Sequence, residues 1–252
     1  MSELSVGLAT FACAFGGAVA ATYVRSWLPP THLSKESQDV VRLGIGLVAT
    51  MTALLLGLVT AASKNAFDTQ DAALRNSAAN LLVMDRDLAR YGPETRPIRE
   101  LIQRSLAARI EDLWPADGSA GTTGKAPVAG APVEDAESML VGLTAQTDAQ
   151  RWFKSEALKL FPEIARTRWR VLQSGNGVPG AFLVAVIFWL TVTFASFGLY
   201  APRNATVLLV LFVAAVSVAA AVFLVLEMDS PFSGVIRVKS DALRYALAHL
   251  NQ

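Results

Sequence analysis

The stretch LGIGLVATMTALLLGLVTAA, residues 43–62, decides the fold of this chain. It holds no Asp, Glu, Lys, Arg or His over 20 residues, and roughly 20 apolar residues are what a helix needs to cross a hydrocarbon core. The backbone has to satisfy its own hydrogen bonds inside lipid, so a helix is the expected conformation. Three further uncharged runs of similar length are Leu4–Val24, Val178–Tyr200 and Ala205–Leu226. The sequence therefore predicts an all-α integral membrane protein with four transmembrane helices.

The overall composition supports this class. Apolar residues make up 53% of the chain and charged residues 17%, against roughly 25% charged in soluble domains. A net charge of +1 gives no reason to expect a nucleic-acid partner, and the lipid bilayer is the expected surrounding. Ala18-Val19-Ala20 resembles a signal-peptide cleavage site, but Met1-Ser2-Glu3 has no positive charge. A retained first helix is therefore favoured over a cleaved one.

The four runs divide the chain into two hairpins around a polar insert. We predict a transmembrane hairpin over residues 1–62, a cytosolic helical insert over 63–177, a second hairpin over 178–226 and a cytosolic C-terminal segment over 227–252. Residues 115–132 contain mostly Gly, Ala, Pro, Ser and Thr. They offer little apolar surface for burial, so we expect a mobile surface loop there.

Four crossings place both termini and the insert on the same side of the membrane. Near the membrane, that side carries eight Lys and Arg residues and the other side four. Cytoplasmic segments collect these residues, so we predict cytoplasmic termini. The eight are Lys64, Arg75, Arg166, Arg168, Arg170, Arg237, Lys239 and Arg244, and the four are Arg25, Lys35, Arg42 and Arg203.

The insert has the periodicity of helices. A seam from Met139 to Ile164 has apolar spacings of four and three, which predicts one continuous helix with coiled-coil-like packing, although the seam includes the polar residues Gln146 and Gln150. We expect this helix to begin near Glu134, to be kinked by Pro162 and to run to about Leu172 before a break at Gly175-Asn176-Gly177. Asp85 and Asp87 are interpreted as charges on a solvated helix face. Two apolar stripes precede the seam, separated by a stop at Tyr91-Gly92-Pro93: Phe67, Leu74, Ala78, Leu81 and Leu88, then Ile98, Leu101, Ile102, Leu106, Ile110 and Leu113.

The sequence contains no motif that carries catalysis. A Walker sequence, a dinucleotide fingerprint and a Gly-x-Ser-x-Gly elbow are all absent, and two His with one Cys offer little for a triad or a zinc site. The apolar runs also lack the ionisable residues of proton-coupled transporters. We therefore expect neither an enzyme nor a cofactor. Two functions stay open: a passive pore, or a non-conducting scaffold or stress sensor that works through the Met139–Ile164 seam and the 115–132 loop. A third, a membrane enzyme that acts on lipid, has no catalytic group in this sequence to carry it.

The second apolar run has one face of small and hydroxyl-bearing residues, which Lys64 continues. Such a face is typical of close helix packing, and it equally suits a water-filled pore wall, so both interpretations stay open. On the neighbouring face, Leu54 and Leu58 would form a ring that gates by dewetting if helices of several subunits converge. One four-helix subunit has too little interior for a channel, so a pore requires a homo-oligomer. The small face comprises Gly46, Thr50, Ala53, Gly57 and Thr60.

Two charged sets flank these runs. Lys64, Arg166, Arg168 and Arg170 would raise the anion concentration at a cytoplasmic mouth. Glu227 and Asp229 precede a turn, Ser230-Pro231-Phe232-Ser233-Gly234, and carboxylates with turn carbonyls are the oxygen ligands that Ca²⁺ prefers. A cation or gating site is one interpretation of this set. Pairing of the two acids with Arg237, Lys239 or the arginines of residues 166–170 is the other.

Four strings in the chain resemble a bacterial family of four-helix membrane proteins described as bestrophin-like. They are ATMTALLLGL (49–58), LARYGPE (88–94), FGLYAPRN (197–204) and EMDSPFSG (227–234), and the resemblance runs from about His32 to the C-terminus. A more distant resemblance links the chain to bestrophins, which are pentameric and mostly anion-conducting channels whose second helix lines the pore. Bestrophins also have a Pro-Phe-Gly turn after the fourth helix, beside an acidic Ca²⁺ site.

The resemblance implies a pentameric channel for small inorganic ions in the bacterial inner membrane. By the resemblance, the second helix would line the pore, with anions slightly favoured, and Glu227 and Asp229 would occupy the position of the Ca²⁺ or gating site. This chain departs from bestrophins in two places. No dense acidic run follows Phe232, and the second run has no Ile-Pro-Phe type of neck.

Overall fold

The computed structural model of the chain describes residues 3–29, 34–115, 131–173, 180–202, 204–232 and 234–252, with the backbone alone at 131 and 170–173. Within these ranges the structure is helical and contains no β-strand, which confirms the predicted all-α class. The helices are α1 (Glu3–Val24), α2 (Lys35–Tyr91), α3 (Arg96–Leu113), α4 (Ala131–Gly142), α5 (Asp148–Gln173), α6 (Gly180–Tyr200), α7 (Ala205–Asp229) and α8 (Asp241–His249).

Four of these helices, α1, α2, α6 and α7, are long and apolar enough to cross a membrane. They correspond to the four predicted runs, of which Val178 and Pro179 lie outside the described residues. By contacts the chain divides into two units. Unit 1 comprises Met1–Asn65 and Gly177–Asp229, and unit 2 comprises Ala66–Asn176 and Ser230–Gln252. Helix α2 contributes to both units, because no Gly or Pro interrupts the chain at the predicted boundary after residue 62.

In unit 1, helix α1 packs against both α6 and α7. The contact with α6 is closest at Gly198, where a Cβ atom would overlap the carbonyl group of Ala18. Against α7, the rings of Phe11 and Phe15 both pack edge-on to Phe212, at centroid distances of 5.5 and 5.6 Å. The small residues Gly198 and Ala18 therefore let α1 approach α6 closely, as small residues do in membrane helix pairs generally.

Unit 2 has a single apolar core built from five helices and the turn after α7. Both predicted stripes face this core, with Phe67 and Leu101 at its margin and their other members buried. Helix α2 ends at Tyr91 as predicted, and Gly92 follows with a φ of +144°. The hydroxyl of the fully buried Thr95 donates to the carbonyl of Leu88 at 2.5 Å, which fixes the corner between α2 and α3.

The prediction of one continuous helix from Met139 to Ile164 is wrong. Helix α4 ends at Gly142, and α5 begins at Asp148. Thr147 and Gln150 form a capping box: the Gln150 amide donates to Thr147 Oγ1 at 3.1 Å, and Gln150 Oε1 accepts from the Thr147 amide at 3.3 Å. Gln150 also donates through Nε2 to the carbonyl of Tyr91 at 3.1 Å. A residue predicted as a seam member is therefore a helix cap.

Two other predictions concern parts of the chain that the structure describes only in part. The predicted mobile loop of residues 115–132 falls mostly on residues 116–130, which lie outside the described residues, and its last two positions open α4. The predicted break at Gly175-Asn176-Gly177 also lies outside them. The described part of α5 reaches Gln173 and has Pro162 inside it.

Asp85 and Asp87 are buried, so their interpretation as solvated-face charges is wrong. Asp85 accepts two hydrogen bonds from Arg99, at 2.7 and 2.8 Å, and a third at 3.2 Å from the backbone amide of Asn251. The side chains of Arg99 and Asp85 are only 14% and 6% exposed. The hydrogen bond to Asp85 raises the pKa of Arg99 above its ordinary value, and burial offsets only part of this rise. The pair ties α2 to α3 and to the C-terminal residues.

Replacing Asp85 by Asn is expected to destabilise unit 2 by about 3–5 kcal/mol, because it leaves Arg99 charged in a buried position. Thermal unfolding of the detergent-solubilised protein, followed by circular dichroism, measures this loss. The control is Asp71→Asn, which removes the exposed pair of Asp71 with Arg75 and is expected to cost no more than about 1 kcal/mol. Equal losses in the two variants would contradict a structural role for the buried pair.

Candidate functional site

Helix α2 is the least covered of the four apolar helices in unit 1. In the most apolar stretch of 18 residues in α2, 6% of the residues are buried, whereas 22–28% are buried in the corresponding stretches of α1, α6 and α7. One side of α2 is packed, because Thr52 and Ser63 are buried and because Leu56 and Val59 share a small apolar cavity with residues of α6 and α7. The rest of the surface of the apolar run, residues 43–62, is largely exposed within one subunit. At its start, Ile45, Gly46 and Ala49 border a cavity of about 560 Å³ that residues of α6 and α7 also line.

The open surface of α2 carries two parallel stripes of different character. The small stripe is the predicted face of Gly46, Thr50, Ala53, Gly57 and Thr60, all of which are exposed. A Cβ atom added at Gly46 or Gly57 would meet nothing within 4 Å. The large stripe lies about 100° around the helix, by the rotation of about 100° per residue. Its members are Leu43, Leu47, Met51, Leu54 and Leu58.

All six predicted pore-lining residues therefore lie on the uncovered surface of α2. Leu54 and Leu58 are 62% and 65% exposed, and their side chains lie one helical turn apart. The subunit does not bury these residues against its own helices, so they are free to face lipid, water or another copy of the chain. Their predicted role as a pore wall stays a prediction.

The two threonine hydroxyls of the small stripe are bonded within the helix. Thr50 Oγ1 donates to the carbonyl of Gly46 at 2.8 Å, and Thr60 Oγ1 donates to the carbonyl of Leu56 at 2.7 Å. Each hydroxyl hydrogen is therefore engaged, and the oxygen lone pairs are left as acceptors. A path along this stripe would offer acceptors rather than donors, so any preference for anions would come from charged residues elsewhere.

The predicted basic mouth residues have different environments. Lys64 is exposed and belongs to unit 1. In unit 2, Arg166 is exposed and pairs with Glu163 at 2.7 Å, whereas the side chain of Arg168 is only 15% exposed and lies 3.6 Å from Glu134. The side chain of Arg170 lies outside the described residues. Arg166 and Arg168, the two of these α5 arginines whose side chains are described, therefore differ in exposure, and the role of the set at a cytoplasmic mouth stays a prediction.

The predicted acidic pair is at the end of α7. Glu227 is buried and Asp229, the last residue of the helix, is partly buried. Among the described residues, no group of three or more His, Cys, Asp or Glu side chains is placed to hold a metal ion. The assignment of a Ca²⁺ or gating site to Glu227 and Asp229 stays a prediction.

The turn after α7 is anchored in the core of unit 2. Phe232 is buried and packs edge-on to Trp114 at a centroid distance of 5.8 Å. Trp114 Nε1 donates to the carbonyl of Val238 at 2.9 Å, and the amide of Val238 donates to the carbonyl of Pro231 at 2.8 Å. These bonds make the Pro231-Phe232 turn a fixed structural element of unit 2.

The sequence interpretation missed one residue of chemical interest, Arg109 of α3. It lines a cavity in unit 2 together with Arg168. In the sequence, Arg109 directly precedes Ile110, which belongs to the predicted apolar stripe of α3. This position beside the stripe is the one feature of the sequence that marks Arg109. A charge adjacent to an apolar face normally extends into solvent, so sequence alone gave no reason to single it out.

Four apolar helices of membrane-spanning length in an otherwise helical chain define a helical membrane protein. Residues 12–243 match the bestrophin-like domain. Because this match covers most of the chain, the protein belongs to the bestrophin-like family, as its sequence motifs indicated. No curated protein and no solved structure gives a significant match.

Proposed function

We propose that the protein is a homo-oligomeric ion channel that conducts small inorganic ions passively, with α2 lining the pore. The observation that carries the proposal is the uncovered apolar run of α2, which six predicted pore residues occupy within a subunit whose α1, α6 and α7 pack together. Membership of the bestrophin-like family supports the same assignment. The pentamer, the inner membrane location and the cytoplasmic termini are part of this proposal and rest on the resemblance and the charge distribution.

Several copies of the subunit are required, because the described helices of one subunit leave the small and large stripes of α2 exposed rather than enclosing a path along them. With copies arranged around an axis, the small stripe and the adjacent leucines would form the wall, and Leu54 with Leu58 would form its narrowest, apolar part. Lys64 follows one helical turn after Thr60 and would supply positive charge at the cytoplasmic end. The proposed slight preference for anions depends on Lys64, because the threonines present acceptors.

Recording single channels from the purified protein in a planar bilayer, under a KCl gradient, tests the proposal. Discrete currents with a defined reversal potential are expected. Silent bilayers that contain correctly inserted oligomers, over a range of Ca²⁺ concentration and pH, would contradict it. Adding Ca²⁺ also tests Glu227 and Asp229, since an effect on open probability that Asp229→Asn removes would assign them to gating.

Replacing Lys64 by Glu is expected to shift the reversal potential from the anion side towards the cation side. A perfectly selective pore gives roughly 59 mV per tenfold gradient of a monovalent ion, so a change of sign lies well within measurement. Lys159→Glu makes the same change of charge at an exposed position of α5 and is the control. If both variants keep the wild-type reversal potential, Lys64 does not lie at the mouth.

The alternative function is a non-conducting oligomeric scaffold or stress sensor. The small stripe of α2 favours this alternative, because Gly46 and Gly57 leave room for a helix of another copy to pack closely. In that case the centre of the oligomer would be dry. The two functions differ in what a large side chain at position 57 does: it blocks the current of a channel, and it separates the helices of a closely packed scaffold.

A further inference from the structure

Unit 2 contains a cavity that brings two arginines together. Its volume is about 50 Å³, whereas one water molecule needs about 10–15 Å³ on this measure, so it has room for a small polyatomic group. Residues from α2, α3, α4, α5 and α8 line it. The polar members of the lining are Ser77, Ser105, Arg109, Thr167 and Arg168, and the apolar members include Leu74, Leu81, Leu106, Ile164 and Leu243.

The charge of Arg109 is poorly balanced in this position. Burial lowers the pKa of Arg109 from its ordinary value, the positive charge of Arg168 lowers it further, and the carboxylate of Asp112 offsets only part of this. Among the described residues, none forms a hydrogen bond or an ion pair with the Arg109 guanidinium. Asp112 is exposed, so solvent screens its charge. Arg168 is balanced in part by Glu134, which lies 3.6 Å away. The unbalanced charge in this partly enclosed cavity is therefore that of Arg109, and it attracts an anion.

We propose that this cavity binds a small oxyanion, a carboxylate or a phosphate, between Arg109 and Arg168. Guanidinium groups present planar pairs of donors that match the oxygens of these anions. The hydroxyl of the buried Ser77 adds a further polar group to the wall. The apolar residues around the cavity lower its local polarity, which strengthens the interaction between the anion and the two guanidinium groups.

An anion held in this way would stabilise unit 2, because it would link α3 to α5 inside a cavity that α2 and α8 complete. The inference is independent of ion conduction. It concerns binding within unit 2, and it would hold for a channel and for a scaffold alike.

The test is thermal unfolding of the full-length protein in detergent, titrated with sodium phosphate or sodium butyrate, with sodium chloride at matched ionic strength as reference. Saturating phosphate or butyrate is expected to raise Tm by roughly 5 °C over chloride. Arg109→Met and Arg168→Met should each abolish the rise. Arg109→Met should also raise Tm in the absence of added anion, because it removes the charge repulsion and keeps the apolar stem.

Arg166→Met is the matched control, because Arg166 is an exposed arginine on α5 with its own partner, Glu163. It should respond to the anions as the wild type does. A response to phosphate alone or to butyrate alone supports the site and identifies the oxyanion. No rise over chloride in the wild type, or an equal loss of the response in Arg166→Met, would overturn the proposal.

Discussion

Gly57→Leu oligomers are expected to assemble as the wild type does and to carry no current. Gly57 lies on the exposed small stripe of α2, and a Cβ atom there would meet nothing within 4 Å inside the subunit, so we expect the fold of one chain to accept the substitution. In an oligomer with α2 around the axis, the same position would contribute one leucine from every subunit. A ring of leucines would fill a narrow path and exclude water from it.

The experiment measures two quantities on the same preparation: the single-channel current in a planar bilayer and the mass of the oligomer in detergent. Gly16→Leu is the matched control, because Gly16 is an exposed glycine of α1 that also has nothing within 4 Å of its Cβ position. It is expected to keep both the current and the mass.

The outcome of Gly57→Leu separates the two candidate functions. If the current is lost and the mass is kept, position 57 faces a water-filled path. If the oligomer dissociates, Gly57 packs against another helix, and the scaffold is the better assignment. If the variant keeps both the wild-type current and the wild-type mass, Gly57 lies neither in a water-filled path nor in a contact between helices. The pore wall would then have to be assigned to another face of α2.

The sequence predicted the elements whose signals are local. Four uncharged runs predicted α1, α2, α6 and α7, and the two apolar stripes predicted the faces of α2 and α3 that unit 2 buries. The helix stop at Tyr91-Gly92-Pro93 was also local, since Gly92 adopts a positive φ that other residues rarely take. Each of these signals acts within a few residues of the chain.

The features that sequence reasoning missed depend on partners that are distant in the chain. Asp85 is buried because Arg99 and the amide of Asn251 reach it, and no spacing rule identifies such partners. The seam from Met139 to Ile164 failed differently. Met139 is 42% exposed, and the neighbouring Leu140 is buried in its place. Gln150 belongs to a capping box with Thr147, and the Thr-x-x-Gln spacing of such a box is a local signal that the sequence contains.

The pore assignment itself rests on what a single chain leaves uncovered. An exposed apolar helix face in an isolated subunit indicates that lipid or another copy covers it. The resemblance to bestrophins implies that the copies form a ring with the second helix at its centre. The small stripe of α2 is compatible with either water or a closely packed helix beside it. Substitutions on α2 that act through the oligomer are therefore more informative than substitutions that act through the subunit.

Leu54→Ala is expected to increase the open fraction of the channel, because Leu54 would form part of the apolar constriction. Shortening this side chain in every subunit widens the path and reduces the apolar surface that excludes water. A change of about 1.4 kcal/mol in the free energy of wetting alters the equilibrium tenfold, and removing several leucine side chains at once should reach at least that. Single-channel recording under symmetrical KCl measures the open probability and the unitary current.

Leu209→Ala on α7 is the matched control, because Leu209 and Leu54 are both 62% exposed in the subunit. It makes the same substitution on a helix that is not proposed to line the pore, and it should leave the current unchanged. If Leu54→Ala behaves like Leu209→Ala, Leu54 faces lipid or a dry contact. The constriction would then have to lie outside the large stripe of α2, and Leu58 would lose its proposed role with it, since the two residues occupy the same face one turn apart.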